Sequence, residues 1–182
     1  YGIGVNASNL HILGNESRFE PLIGKPGDGA SPSCAIVDEY HEHPDDDQVE
    51  TAVTGMGARE QPLLLMITTA GTDTSSPCYE KHLECQRIVQ RKDLDASTER
   101  IFAMMYGIDR DDDWTDPNAL VKANPNYNVS ISADALRTLQ IAATRKPSKQ
   151  NIFQIKHLNL TARNLCARWH HSPMKKPPVF CG

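Results

Sequence analysis

Two short apolar runs stand out along an otherwise mixed chain. Residues 34–37 (Cys-Ala-Ile-Val) and 63–67 (Leu-Leu-Leu-Met-Ile) are each bounded by polar, Gly or Pro positions, the pattern of parallel strands buried on both faces. The first ends in Asp38 and Glu39, and the second is expected to continue as strand through Thr68 and Thr69, closed by Gly71. Between them, Asp45, Asp46 and Asp47 follow a proline and predict the start of a helix over residues 48–56, because carboxylates suit the positive end of a helix dipole. Upstream, residues 10–13 and 18–22 bracket a polar turn and read as a hairpin or two edge strands, and residues 24–32 form a Gly/Pro/Asp/Ser loop. Downstream, an amphipathic helix is expected over 79–91 and a third strand over 101–108. A short helix is expected from Pro117 to before Asn124, and two more near 133–145 and 149–160.

Strand, helix, strand, helix, strand and then helices predict an α/β protein with a parallel sheet and a C-terminal helical appendage. In such sheets ligands gather beyond the carboxyl ends of the strands. That rule sets Asp38 and Glu39 on the same edge as Thr68 and Thr69, which makes the two strand tips the candidate site.

Charge changes the picture at one place. Nine of the 19 Lys and Arg residues and none of the 23 Asp and Glu residues follow Asp134, so the net charge of −4 divides into −13 up to that residue and +9 after it. A basic segment on an acidic body fits contact with a polyanion, docking on an acidic surface, or simply a solvated helical face. No stretch approaches the roughly 18 apolar residues that span a bilayer, and the first residues show no secretory pattern, so an intracellular protein is expected. The five cysteines lack CxxC spacing and read as reduced thiols, with Cys34 partly buried in its apolar run. Cys78, His82 and Cys85 share a helix face at metal-ligand spacing, but surface and core filling accounts for them better.

An apolar strand delivering Asp-Glu at its tip has the Walker B arrangement: the aspartate holds a Mg²⁺ that bridges nucleotide phosphates, and the glutamate orients the attacking water. Alone the pattern is weak, since any buried strand can end in acidic residues. Hydroxyls at a neighbouring tip, here Thr68 and Thr69, can sense the terminal phosphate, although threonine also simply favours strands.

Residues 34–43 (CAIVDEYHEH), 54–63 (TGMGAREQPL) and 67–71 (ITTAG) resemble successive blocks of the phage terminase large subunit. The similarity continues through residues 106–114 (YGIDRDDDW), 122–125 (KANP), and Asn151-Ile152-Phe153 with His157-Leu158-Asn159, in collinear order over about residues 10–160. The resemblance implies a P-loop-type (ASCE) ATPase that uses Mg²⁺ and ATP to drive double-stranded DNA into procapsids, normally joined to an endonuclease domain. It implies a portal protein and a terminase small subunit as partners, a homo-oligomer in the full-length form, and the cytoplasm of the bacterial host as the location. By match to the family's motifs, Asp38 is the metal-binding acid, Glu39 the catalytic base, Thr68 and Thr69 the coupling motif and nucleotide contacts, and Arg59 a phosphate-sensing arginine. In the absence of that role Arg59 would pair with the acidic loop.

Residues 1–128 are then expected to be the later part of the ATPase domain, its core incomplete at the N-terminus, and 129–160 a helical linker or lid, with a divergent basic tail over 161–182. Residues 24–31 (GKPGDGAS) imitate a phosphate-binding loop, but Ala30 stands where lysine is needed and no helix is expected to follow, so a phosphate loop is not assigned there. A nuclease needs clustered carboxylates for two metals, and no acid follows Asp134, so that domain is not expected in this chain. The chain thus reads as a fragment of such a motor. Three rivals remain. Asp38-Glu39-Tyr40-His41 also fits the DExH box of a superfamily 2 helicase. His41-Glu42-His43 could begin a metal site. The basic end could bind DNA without turnover, as a non-catalytic remnant.

Overall fold

Three helices begin at a side chain that replaces the backbone acceptor missing from a helix start. In the computed structural model, which describes residues 2–15, 17–22, 29–92, 95 and 98–161, Ser76, Asp116 and Ser132 accept hydrogen bonds from the amides of Tyr79, Asn118 and Ala135 at 3.3, 2.8 and 3.4 Å. Pro77 and Pro117 follow two of these caps at the first helical position, where an amide proton is not needed.

The elements run β1 (Ile3–Val5), β2 (Leu10–Ile12), β3 (Arg18–Phe19), β4 (Cys34–Asp38), α1 (Asp47–Met56), β5 (Leu63–Ile67), α2 (Pro77–Val89), α3 (Pro117–Ala123), α4 (Ala133–Arg145) and α5 (Pro147–Leu158), with short 3₁₀ turns at Tyr40–Glu42 and Thr98–Arg100. The chain divides into two compact units, Tyr1–Ile36 with Asp46–Leu65 and Val37–Asp45 with Met66–Gly182.

In the first unit, β1, β2 and β3 form an antiparallel sheet in that order, with Ile3 opposite Ile12 and Leu10 opposite Phe19. The hairpin expected here thus gains a third strand. The last turn of α1 lies against the loop before β4: a Cβ on Gly55 would stand 2.0 Å from the Ala30 carbonyl oxygen, so only glycine fits.

β4 and β5 pair as a two-stranded sheet. Their direction follows from their ends. The Leu63 amide donates to the Ser33 carbonyl where both strands begin (3.0 Å), and the His41 amide donates to the Thr68 hydroxyl just past both exits (3.0 Å), so the strands are parallel. The crossover contains α1, as the sequence predicts.

The second unit holds the main core. Ile108, Leu120, Leu136, Phe153, Ile155, Leu158 and Leu160 bury their side chains together with the small residues Ala119, Ala123 and Ala143, and Ala70, Trp114, Tyr127 and Ile131 pack against them. At its edge Gln140 is fully buried, and its amide donates to the carbonyls of Trp114 (2.7 Å) and Asp116 (3.0 Å), fixing the entry to α3. Several blocks that carry the resemblance touch one another here. Lys122 reaches Asp109 and Asp112, both at 2.6 Å; Asn124 donates to the His157 carbonyl at 3.0 Å; Asn159 donates to the Tyr106 carbonyl at 2.9 Å.

Three expectations are corrected. The strands β4 and β5 are not buried on both faces: in β4 only Val37 is buried, and Ile36, Leu63, Leu65 and Ile67 are exposed, because the described residues supply a sheet of only two strands with too little cover. Residues 101–108 form no strand. They have β-forming side chains but no partner edge among the described residues, and the Ile108 amide bonds instead to the Leu158 carbonyl at the end of α5 (3.2 Å). Cys34 is exposed rather than partly buried, whereas Cys78 is buried and Cys85 partly so, all three as free thiols. Cys166, Cys181 and the tail from residue 162 on lie outside the described residues.

Replacing Gln140 with Leu removes both of these hydrogen bonds from a fully buried position and is expected to lower unfolding free energy by about 1–3 kcal/mol, read by urea denaturation. The His157 ring packs on Phe153 (centroids 5.2 Å), and burial first, then the Lys156 charge, lowers its pKa. A depressed histidine pKa contributes stability that is fully present above its ordinary value near ~6.5 and is lost as pH falls through the folded value. Thermal midpoints measured from pH 7 downward should therefore fall less steeply in His157→Gln than in the wild type.

Candidate active site

Residues 37–45 and 66–71 build the site within the second unit. β4 ends at Asp38, and the chain turns at once: Glu39 adopts the left-handed conformation (φ 51°), which few residues other than glycine take up. Its amide donates to the Asp38 carboxylate (3.0 Å), and its carbonyl receives the Glu42 amide (2.8 Å), opening the 3₁₀ turn Tyr40–Glu42. Tyr40 is buried in this turn, which α2 covers. Asp38 and Glu39 themselves are exposed. Such strain at an exposed acidic tip is the kind that accumulates at functional sites.

Thr68 closes the arrangement from β5. Its hydroxyl donates to the Thr69 carbonyl (3.0 Å), leaving its oxygen to accept from the His41 amide (3.0 Å) and to meet His41 Nδ1 (3.0 Å). The Thr69 hydroxyl lies 3.5 Å from the same nitrogen. His41 is largely buried. Nδ1 also stands 3.2 Å from Glu39 Oε2, and Nε2 stands 3.1 Å from Glu42 Oε1; both are ion pairs only when the ring carries two protons. His43 Nε2 lies 3.3 Å from the Asp38 carbonyl, so both histidines brace the acidic tip.

Behind Thr68, Cys78 Sγ is 3.7 Å from the hydroxyl, and burial raises the pKa of this thiol. Gly71 passes so near His41 that an added Cβ would stand 2.9 Å from the histidine Cβ, and its φ of +66° is itself a glycine conformation. The helix start at Ser76 follows a tight turn in which the Asp73 carboxylate accepts from the amide and hydroxyl of Ser75, holding its pKa below the usual carboxylate value.

Of the residues singled out in the sequence, Asp38, Glu39, Thr68 and Thr69 are therefore brought together. Arg59 belongs to the first unit, where its guanidinium donates to the Ser31 carbonyl, at 2.9 Å from Nε and more closely from a terminal nitrogen. This bond and the close approach at Gly55 fasten the Gly-Met-Gly-Ala-Arg block to the loop before β4. The imitation phosphate loop lies largely outside the described residues, and no helix occupies 29–33. Among the described residues no three His, Cys, Asp or Glu side chains are placed to hold a metal, including the Cys78, His82, Cys85 trio and the His41, Glu42, His43 run. No helix among them is long and apolar enough to cross a membrane. The sequence offered His41 only within the rival readings, as part of a DExH box or of a metal site, and not beside Thr68. Its placement two residues beyond the acidic pair was the available signal.

The family described as terminase large subunit, ATPase domain, matches residues 16–87, a span that contains both strand tips. The chain is 45% identical over 138 residues to the protein YmfN of Escherichia coli strain K12, covering 76% of this chain and 30% of that protein. It is 30% identical over 142 residues to the terminase large subunit of Enterobacteria phage HK97, covering 77% of this chain and 26% of the phage protein. The crystal structure of the HK97 bacteriophage large terminase matches with a TM-score of 0.74 at 26% identity, over 88% of this chain and 33% of the other. The chain thus spans about a third of the length of the relatives it matches.

Gly71→Ala is expected to destabilise the protein by about 1–3 kcal/mol, combining a strained backbone with a clash on His41. Gly71→Asn, which tolerates a positive φ, should recover little of the loss in thermal midpoint. Full recovery would mean that the His41 contact is unimportant.

Proposed function

Because the chain belongs to the phage terminase large-subunit family, we propose that it contributes the acidic and coupling motifs of an ATPase that drives double-stranded DNA into a procapsid. The observation that carries this reading is the convergence of two parallel strand tips, one presenting Asp38 and Glu39 and the other Thr68 and Thr69, with Glu39, Thr68 and Thr69 all within 3.5 Å of one histidine ring.

The family uses ATP with Mg²⁺, and the residues present fit such an ion. Mg²⁺ keeps most of its water and takes one or two protein carboxylates beside substrate phosphates. A single exposed aspartate at a strand tip meets that requirement, with one carboxylate oxygen steadied by the Glu39 amide. Bound there, the ion would neutralise charge on the phosphates. Asp38 is its ligand. Glu39, exposed and held on a left-handed turn, accepts a proton from the attacking water and aligns it. Thr68 and Thr69 contact the nucleotide and register the loss of the terminal phosphate. Arg59 is the phosphate-sensing arginine, acting in cis or in trans.

The P-loop-type core of the family, with residues 1–128 in the ATPase domain and 129–160 as a helical lid, accommodates these roles. DNA translocation, the portal protein and terminase small subunit as partners, homo-oligomerisation, host cytoplasm as location and the endonuclease activity of full-length relatives extend to this chain by family membership. The basic residues Arg145, Lys146 and Lys149 at the junction of α4 and α5 suit contact with a phosphate backbone.

In a complete packaging ATPase carrying this segment, Glu39→Gln should lower ATP turnover by at least about 100-fold, with nucleotide binding by calorimetry largely kept. Turnover equal to the wild type would defeat the assignment.

A further inference from the structure

One imidazole meets Glu39 at the first strand tip and both threonine hydroxyls at the second. Its side chain is 14% exposed, whereas the Glu39 and Glu42 side chains beside it are 61% and 75% exposed. A ring this enclosed between two solvated carboxylates is held by its surroundings. The Thr68 oxygen anchors its backbone amide and its Nδ1, and Gly71 leaves the space it occupies.

We infer that His41 is a positioning residue that ties the carboxylate of Glu39 to the hydroxyl of Thr68, so that the state of one strand tip sets the reach of the other. The inference rests on the proposed catalytic role of Glu39. Thr68 spends its own proton on the Thr69 carbonyl, so toward His41 it acts only as an acceptor. In the tautomer with its proton on Nδ1, His41 faces two close acceptors, Thr68 Oγ1 at 3.0 Å and Glu39 Oε2 at 3.2 Å, with the Thr69 hydroxyl farther off at 3.5 Å. Turning the Thr68 hydroxyl toward another group releases that proton to Glu39 alone, and returning it draws the proton back. The two acceptors thereby compete for one donor, which couples a phosphate-sensing hydroxyl to the carboxylate without displacing either strand.

Two measurements test this. In this chain, nitrogen-15 NMR of the His41 ring should show Nδ1 shifted by Thr68→Val, an isosteric loss of the hydroxyl, and nearly unchanged by Thr68→Ser, with circular dichroism confirming the fold of both. An Nδ1 resonance indifferent to Thr68→Val overturns the inference. In a complete packaging ATPase carrying this segment, His41→Ala and His41→Gln should lower kcat by about 10- to 100-fold, as removal of an orienting partner does, with KM for ATP unchanged. His41→Asn, whose amide nitrogen can stand near the Nδ1 position while that of glutamine reaches toward Nε2, should recover most of the rate. Equal losses in Asn, Gln and Ala, or a rise in KM alone, would refute the positioning role. If Glu39→Gln abolishes turnover while His41→Ala does not, this inference fails and the proposed function stands. Turnover that survives Glu39→Gln removes the proposed function itself.

Discussion

The Thr68 oxygen, receiving the backbone amide and facing the ring of His41, is the contact on which the arrangement of the site depends. A parallel pair of strands fixes only the spacing of its backbones. What happens past the last ladder bond is open, and there the chain makes two sharp departures, a left-handed residue at Glu39 and a positive-φ glycine at Gly71. Neither turn would keep its place unaided. The hydroxyl joins them, because the same oxygen satisfies a backbone donor of one turn and belongs to the strand end that leads into the other.

The helical part of the second unit is held by a different device. Its aliphatic core is bordered by polar side chains that each close a backbone gap: Gln140 on two carbonyls at the entry to α3, Asn124 on the carbonyl of His157, and Asn159 on that of Tyr106. Lys122, with Asp109 and Asp112, forms an exposed ion-pair cluster, and the hydrogen bonds its ammonium donates to those two carboxylates raise its pKa. Such a pair contributes little to stability by itself. The amide contacts matter more, since an unpaired buried carbonyl is costly.

The elements with a local cause were legible in the sequence. Helices announced by Ser-x-x or Asp-Pro starts appear within two residues of their expected bounds, and the apolar runs at 34–37 and 63–67 are strands whose tips meet. What escaped was determined by partners distant in the chain. The segment 101–108 has the side chains of a strand, but strand identity belongs to a pair, and its Ile108 amide found the end of α5 instead. The apolar faces of β4 and β5 predict burial that the described residues do not provide. His41 looked like one of three polar residues after an acidic pair, and only the fold shows that its ring meets Thr68, 27 residues away. Likewise, the blocks YGIDRDDDW, KANP and HLN gave a resemblance without a reason. Their reason is that they bind each other.

Ala70 lies between the helical core and the strand tips. Its methyl group packs into the α3–α5 core, while the residue before it shares a nitrogen with His41. A single planar peptide unit therefore separates the helical interior from the reactive edge of the sheet. A shift of the helices that carries Ala70 along therefore reaches the Thr69 hydroxyl through one rigid unit, so the packing of the core and the position of the strand tip are adjusted together.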